Sequence, residues 1–153
     1  ATLESDALFA SVMWTNFVKE EFEQIRDSGM GGAAHACELE TSAYLYLAED
    51  RVQMDKAQDH YGGAAGSEGS PYTWVDLAKG WGPVKVVKWT SASTPHGVSG
   101  APTLATEEKG RVLIDAASNH LLAFSREFKD MADPIRVDHR KVKPSRPTLP
   151  NLD

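Results

Sequence analysis

A chain of 153 residues with 41% hydrophobic and 25% charged side chains has the length and balance of one folded domain with a real core. A net charge of -6 argues against a nucleic-acid or anionic-membrane partner, and the single cysteine, Cys37, excludes an intrachain disulfide and fits a reducing compartment. No apolar run approaches the roughly 20 residues needed to span a bilayer and no signal peptide opens the chain, so the expected setting is cytoplasmic.

Taken in order, Ala7 to Trp14 is mostly apolar and reads as a buried strand of the parallel-sheet kind. Thr15 is placed to cap a helix over Asn16 to Arg26, with Phe17, Phe22 and Ile25 on its apolar side. The run Ser28-Gly29-Met30-Gly31-Gly32 ends it as a loop, and its glycines predict a mobile lid. A second helix is expected over Glu38 to Ala48, with Leu39, Ala43, Tyr46 and Leu47 facing inward. Residues 61–71 are rich in glycine and read as loop, and Val84 to Trp89 as a short strand. A long helix over about 103–130 follows, with Glu107 and Glu108 in its first turn and Leu113, Ala117, His120, Leu121, Phe124 and Phe128 on one face. We divide the chain into a domain at 1–132 and an extended, proline-containing tail at 133–153. The tail's basic residues between Arg136 and Arg146 suit a solvated segment or a subunit contact. Two or three strands and three helices form a thin layer, which suggests half of an α/β sandwich.

The densest chemistry lies in His35-Ala36-Cys37-Glu38-Leu39-Glu40-Thr41-Ser42. It puts an imidazole, two carboxylates and two hydroxyls directly after the glycine loop. One reading is an active-site loop feeding a helix start. The other is an ordinary helix N-terminus, where acids favour the positive end of the dipole. Thr41 and Ser42 suit capping and packing rather than reaction.

Downstream, Gly97-Val98-Ser99-Gly100-Ala101-Pro102-Thr103-Leu104-Ala105-Thr106-Glu107-Glu108-Lys109-Gly110 supplies a second block. An "HAGExETS"-like run, then "GVxGxPxxATxEKG", then one long amphipathic helix, resembles the C-terminal half of the creatininase family of metal-dependent amidohydrolases. The resemblance runs from about Leu8 to about Phe128, and Trp14 matches a family tryptophan. It implies half of an α/β/α sandwich with a mainly parallel sheet, completed by an N-terminal creatininase-like chain or a missing N-terminal half. That Ala1 stands just ahead of a strand fits a chain cut or split there. The resemblance also implies divalent metal, zinc or manganese and two ions, held by an E-x-H motif, an aspartate and an N-G-H-x-E motif of the N-terminal half. None of these motifs occurs here. The expectation is a higher homo- or hetero-oligomer acting on a small-molecule amide, with this chain inactive alone.

The resemblance makes His35 the residue that binds substrate and passes a proton to the departing nitrogen, a task for which imidazole suits because it both accepts and donates near neutrality. Glu40 would orient His35 or a loop amide. The substrate side would include Trp14, as pocket wall or plain core, with Cys37, where the family usually has glycine, and Glu38. Cys37 reads either as a thiol activated at a helix N-terminus or as a small buried side chain. His96 lies in a loop from which it could reach the site. Gly31 and Gly32 stand where creatininase itself has a stacking tryptophan and an aspartate, which argues against creatinine as substrate. The expected function is a component of an amidohydrolase that cleaves a non-peptide, cyclic amide C–N bond. The alternatives are a non-catalytic binding subunit and a peptidase- or deformylase-type relative.

Overall fold

A computed structural model describes residues 8–61 and 70–131. The expected tail at 133–153, and most of the expected loop at 61–71, lie outside these residues. A 3-10 turn at Trp14–Phe17 leads into α1 (Lys19–Ile25), then β1 (Ala33–His35) and α2 (Glu38–Ala48). After two further 3-10 turns come β2 (Val75–Asp76), β3 (Gly80–Trp81), α3 (Thr90–Ser93), β4 (Ser99–Gly100) and α4 (Glu107–Asp130). Among the described residues no helix is long and apolar enough to cross a membrane.

The fold is mixed α/β, but its strands form two small antiparallel pairs instead of the expected parallel sheet. β1 pairs with β4, Ala33 opposite Gly100 and His35 opposite Ser99, with an irregularity between. β2 pairs with β3, Val75 opposite Trp81 and Asp76 opposite Gly80. The Leu77 N–H donates to the Ala33 carbonyl at 2.7 Å and ties the two pairs together, while His60 and Gly100 exchange backbone hydrogen bonds at 2.9 and 2.7 Å.

Two expected strands do not form among the described residues. Residues 8–13 have no regular structure, and Phe9, Val12 and Met13 are exposed. Val84 to Trp89 is likewise irregular, with Val87 97% and Trp89 84% exposed. A strand is defined by the ladder that satisfies its N–H and C=O groups; the Val84 N–H donates to the Tyr72 carbonyl at 2.9 Å, but no continuous ladder forms along either run among the described residues. The expected cap at Thr15 also differs. Thr15 lies inside the 3-10 turn, and its buried hydroxyl has no partner among the described residues.

The helices follow the sequence more closely. α2 occupies Glu38 to Ala48 as expected, although Tyr46 and Leu47 are exposed and its buried side is Glu38, Leu39, Ser42 and Ala43. α4 starts at Glu107 because Pro102–Leu104 makes a separate 3-10 turn and Thr106 caps the helix, its hydroxyl accepting from the Lys109 N–H at 3.2 Å. Of α4's apolar stripe, Leu113 and Ala117 are buried, while Leu121 is 44% exposed. The core gathers Val18, Phe22, Ala33, Cys37, Leu39, Leu113 and Ala117, flanked by Trp14, Phe17 and Leu77. Its largest interface is between α2 and α4, which cross so closely that a Cβ at Gly110 would overlap the Ser42 carbonyl.

Candidate functional site

The polar cluster at residues 35–42 divides between two environments. His35 ends β1 with its side chain exposed. The next residue, Ala36, has a φ of +47°, a left-handed conformation disfavoured for any residue with a Cβ. Glu40, in the first turn of α2, holds that turn: its Oε2 accepts from the Ala36 N–H at 2.6 Å and lies 3.9 Å from the Cys37 thiol. Glu40 therefore acts on the amide beside His35 and not on the imidazole.

Glu38 is fully buried. Its carboxylate accepts from the Asp27 and Ser28 N–H groups, each at 2.9 Å, and from the Lys109 ammonium at 2.5 Å. Lys109 also reaches Asp27 Oδ2 at 2.6 Å and the Leu104 carbonyl at 2.8 Å. Burial acts to raise the Glu38 carboxyl, but the Lys109 ammonium and the two amides outweigh it and hold it below the usual carboxylate range. Burial also acts to lower Lys109, which Asp27 and Glu38 overcome, so its affinity for the proton is raised. Cys37 is fully buried, and burial pushes its thiol up to about 12, the opposite of an activated nucleophile. Ser42 is buried and accepts from the Thr106 N–H at 3.1 Å.

The glycine loop is tied down along its length, in contrast to the mobile lid that its composition predicts. Arg26 forms a bidentate pair with the buried Asp76, both bonds 2.9 Å, and donates to the Gly29 carbonyl at 2.6 Å. Asp76 accepts in turn from the Gly31 N–H at 3.0 Å. Gly31 needs its glycine for a φ of +79°, and Gly32 for space, since a Cβ there would collide with Ser28. Ala101 donates to the Gly32 carbonyl at 2.9 Å, which binds the loop to the second motif block.

Two concavities border this framework. One, of about 740 Å3, is an open and mainly apolar groove that includes Trp14, Glu40, Tyr44 and Ile114. The other, of about 350 Å3, includes His35, Trp74, Trp81, Lys85 and Lys88. The two residues with expected catalytic roles thus border different cavities. His96 is exposed and sits edge-on to His60, ring centroids 5.8 Å apart, and is not among the residues lining the His35 cleft. Arg26, Asp76 and Lys109 carry the framework, and Trp74, Trp81, Lys85 and Lys88 line the cleft; sequence reasoning assigned none of them a role. The motif containing Lys109 and the alternation of apolar residues and lysine at 84–89 were the available signals.

Among the described residues, no three His, Cys, Asp or Glu side chains come together as a metal site would require. Glu38, Asp76 and Glu40 are each engaged by protein donors. These side chains do not fit the expected metal pair.

A family model described as creatininase, creatinine amidohydrolase, matches residues 2–125 of the chain. Searches of curated proteins and of solved structures gave no match.

Proposed function

Because the chain belongs to the creatininase family, we propose that it is the proton-transferring part of an amidohydrolase that cleaves a non-peptide, cyclic amide C–N bond. Family membership points to hydrolysis in general; the cyclic amide and the division of labour are our reading. The observation that carries it is His35, an exposed imidazole at the rim of a ligand-sized cleft. Its backbone is held by β4 on one side and by the Glu40–Ala36 bond on the other. When the amide C–N bond breaks, the departing nitrogen needs a proton, and a fixed imidazole within reach can deliver it. Trp14 borders the neighbouring groove, while Glu38 and Cys37 support the site from beneath.

The divalent metal, zinc or manganese, is assigned to an N-terminal creatininase-like partner chain that completes the sandwich. What supports this is that Glu38, Asp76 and Glu40 are already engaged by protein groups. The same observation favours a second reading, a binding subunit with no activity of its own. Intact mass and metal content of material purified from its native source separate the two: a second polypeptide with about two metal ions per pair supports the enzyme, and a lone metal-free chain supports the binder.

In the completed enzyme His35→Ala is expected to lower kcat by about 10²-fold or more with metal content unchanged. Loss of metal in that variant would make His35 a ligand instead. The assay is run on creatinine beside lactams, cyclic imides and formamides. Creatinine emerging as the best substrate would overturn the argument from Gly31 and Gly32. Activity confined to esters or phosphates would overturn the amidohydrolase reading.

A further inference from the structure

The cleft beside His35 has a chemistry that the amidohydrolase reading alone does not require. At about 350 Å3 it falls within the size range of small-ligand sites. Trp74 and Trp81 give it flat apolar walls, and Lys85 and Lys88 border it from the irregular segment after β3. Among the described residues no carboxylate lines it. Acids of the adjoining elements are engaged elsewhere: Asp76 by Arg26, and Glu23 by Arg26 and Lys79. Among the described residues, neither lysine forms an ion pair, and Lys85 Nζ stands 5.3 Å from the centre of the Trp81 ring.

A free ammonium stationed over an indole face, with a second ammonium and an imidazole on the same rim, complements one kind of guest. A flat ring stacks on the indole, and an anionic substituent meets the lysines in charge-assisted hydrogen bonds. We propose that this cleft binds a planar ring bearing a carboxylate. Resting on the reading of His35 given above, the substrate is then a cyclic amide that carries an acid group apart from the scissile bond. The two lysines select for that acid group and bring the amide to the imidazole. The cation requirement separates this ligand from creatinine, which bears no carboxylate.

The test is binding by the full chain, at dilutions where light scattering shows no association, observed by 19F NMR of 4-(trifluoromethyl)benzoate, 4-(trifluoromethyl)benzamide and 4-(trifluoromethyl)benzylamine. The benzoate is expected to bind at least tenfold more tightly than the amide, and the amine not at all. The exposed pair Lys85→Gln and Lys88→Gln, made together and checked by circular dichroism, should abolish the preference of benzoate over benzamide. Trp81→Ala should weaken benzoate and benzamide together. Equal binding of benzoate and benzamide, or an undiminished preference in the double lysine variant, overturns the proposal. So does binding of a thymidine octamer that benzoate does not displace, which would make the cleft a single-strand site. The two readings fail separately: a chain whose lysines capture benzoate but whose complete form hydrolyses no amide keeps the site and loses the reaction. A competent amidohydrolase indifferent to benzoate does the reverse.

Discussion

Glu38 shows how a residue of catalytic type can be wholly committed to structure. With no exposed surface and Lys109 at 2.5 Å, it forms a buried ion pair whose single-partner loss leaves an uncompensated charge. Glu38→Gln or Lys109→Met is expected to cost about 3–5 kcal/mol in urea unfolding, with the double variant losing less than the sum. The carboxyl is lowered in the folded state, so its contribution is present above the unfolded value of roughly pH 4 and is lost as acid takes the pH through the folded value. Lys109 is raised, so its contribution holds below roughly pH 10 and is lost as alkali passes the folded value. Unfolding midpoints measured across pH should therefore form a plateau that falls at both ends, and Glu38→Gln should flatten the acid limb. Cys37 offers a second check. Buried, with its thiol pushed up to about 12, it should resist alkylation by iodoacetamide at neutral pH in the native protein and react once urea unfolds it. Labelling at equal rates in both states would contradict its burial. The sequence showed the polar cluster but not which members face solvent, because the partner that buries Glu38 lies 71 positions away.

At the scale of elements, the longer helices were readable while the four-residue α3 and the strands were not, for a physical reason. A helix satisfies its own backbone, so local periodicity locates it; α2 begins at Glu38 as expected, while α4 begins at Glu107 behind its Thr106 cap and not at the expected 103. A strand needs a partner that local pattern does not reveal, and beyond the single Val84–Tyr72 bond the apolar runs at 8–13 and 84–89 find no ladder in the described chain. The strands that do form, Ala33–His35 and Ser99–Gly100, are too short to carry a period. The α2–α4 crossing was not legible either, since it depends on one missing side chain. Gly110→Ala should drive a methyl into the Ser42 carbonyl and cost about 1–3 kcal/mol or more in a thermal melt. Gly29→Ala, where a Cβ meets nothing within 4 Å, should stay within about 0.5 kcal/mol of the parent. Equal effects of the two would show that the helices do not approach so closely.

For the whole molecule, the outstanding feature is how much large apolar surface stays in water. Phe9, Val12 and Met13 before the first turn, and Val84, Val86, Val87 and Trp89 near the cleft, are all exposed. Unpaired extended runs with such side chains invite association with other chains. Expressed alone, residues 1–153 should self-associate in light scattering and melt over a broad range, and co-expression with the proposed N-terminal chain should restore a sharp transition. A monodisperse monomer with a cooperative melt would remove the case for a partner. The family match covers residues 2–125, which include both exposed runs.

The bond from Lys109 to Glu38 also sets an order of events while the chain is being made. When synthesis has passed the histidine turn, α2 and β2, the Glu38 carboxylate still lacks its counter-charge, and dehydrating it then is costly. The start of α2 must stay wet until the first turn of α4 emerges. His35 takes its fixed position only after that, because its turn is anchored in the same helix start. Folding of the site is thereby deferred until more than two thirds of the sequence has been synthesised. A nascent chain that ends short of Lys109 holds the histidine, β4 and the Glu40–Ala36 bond, but lacks the cation that lets the helix start beneath them pack.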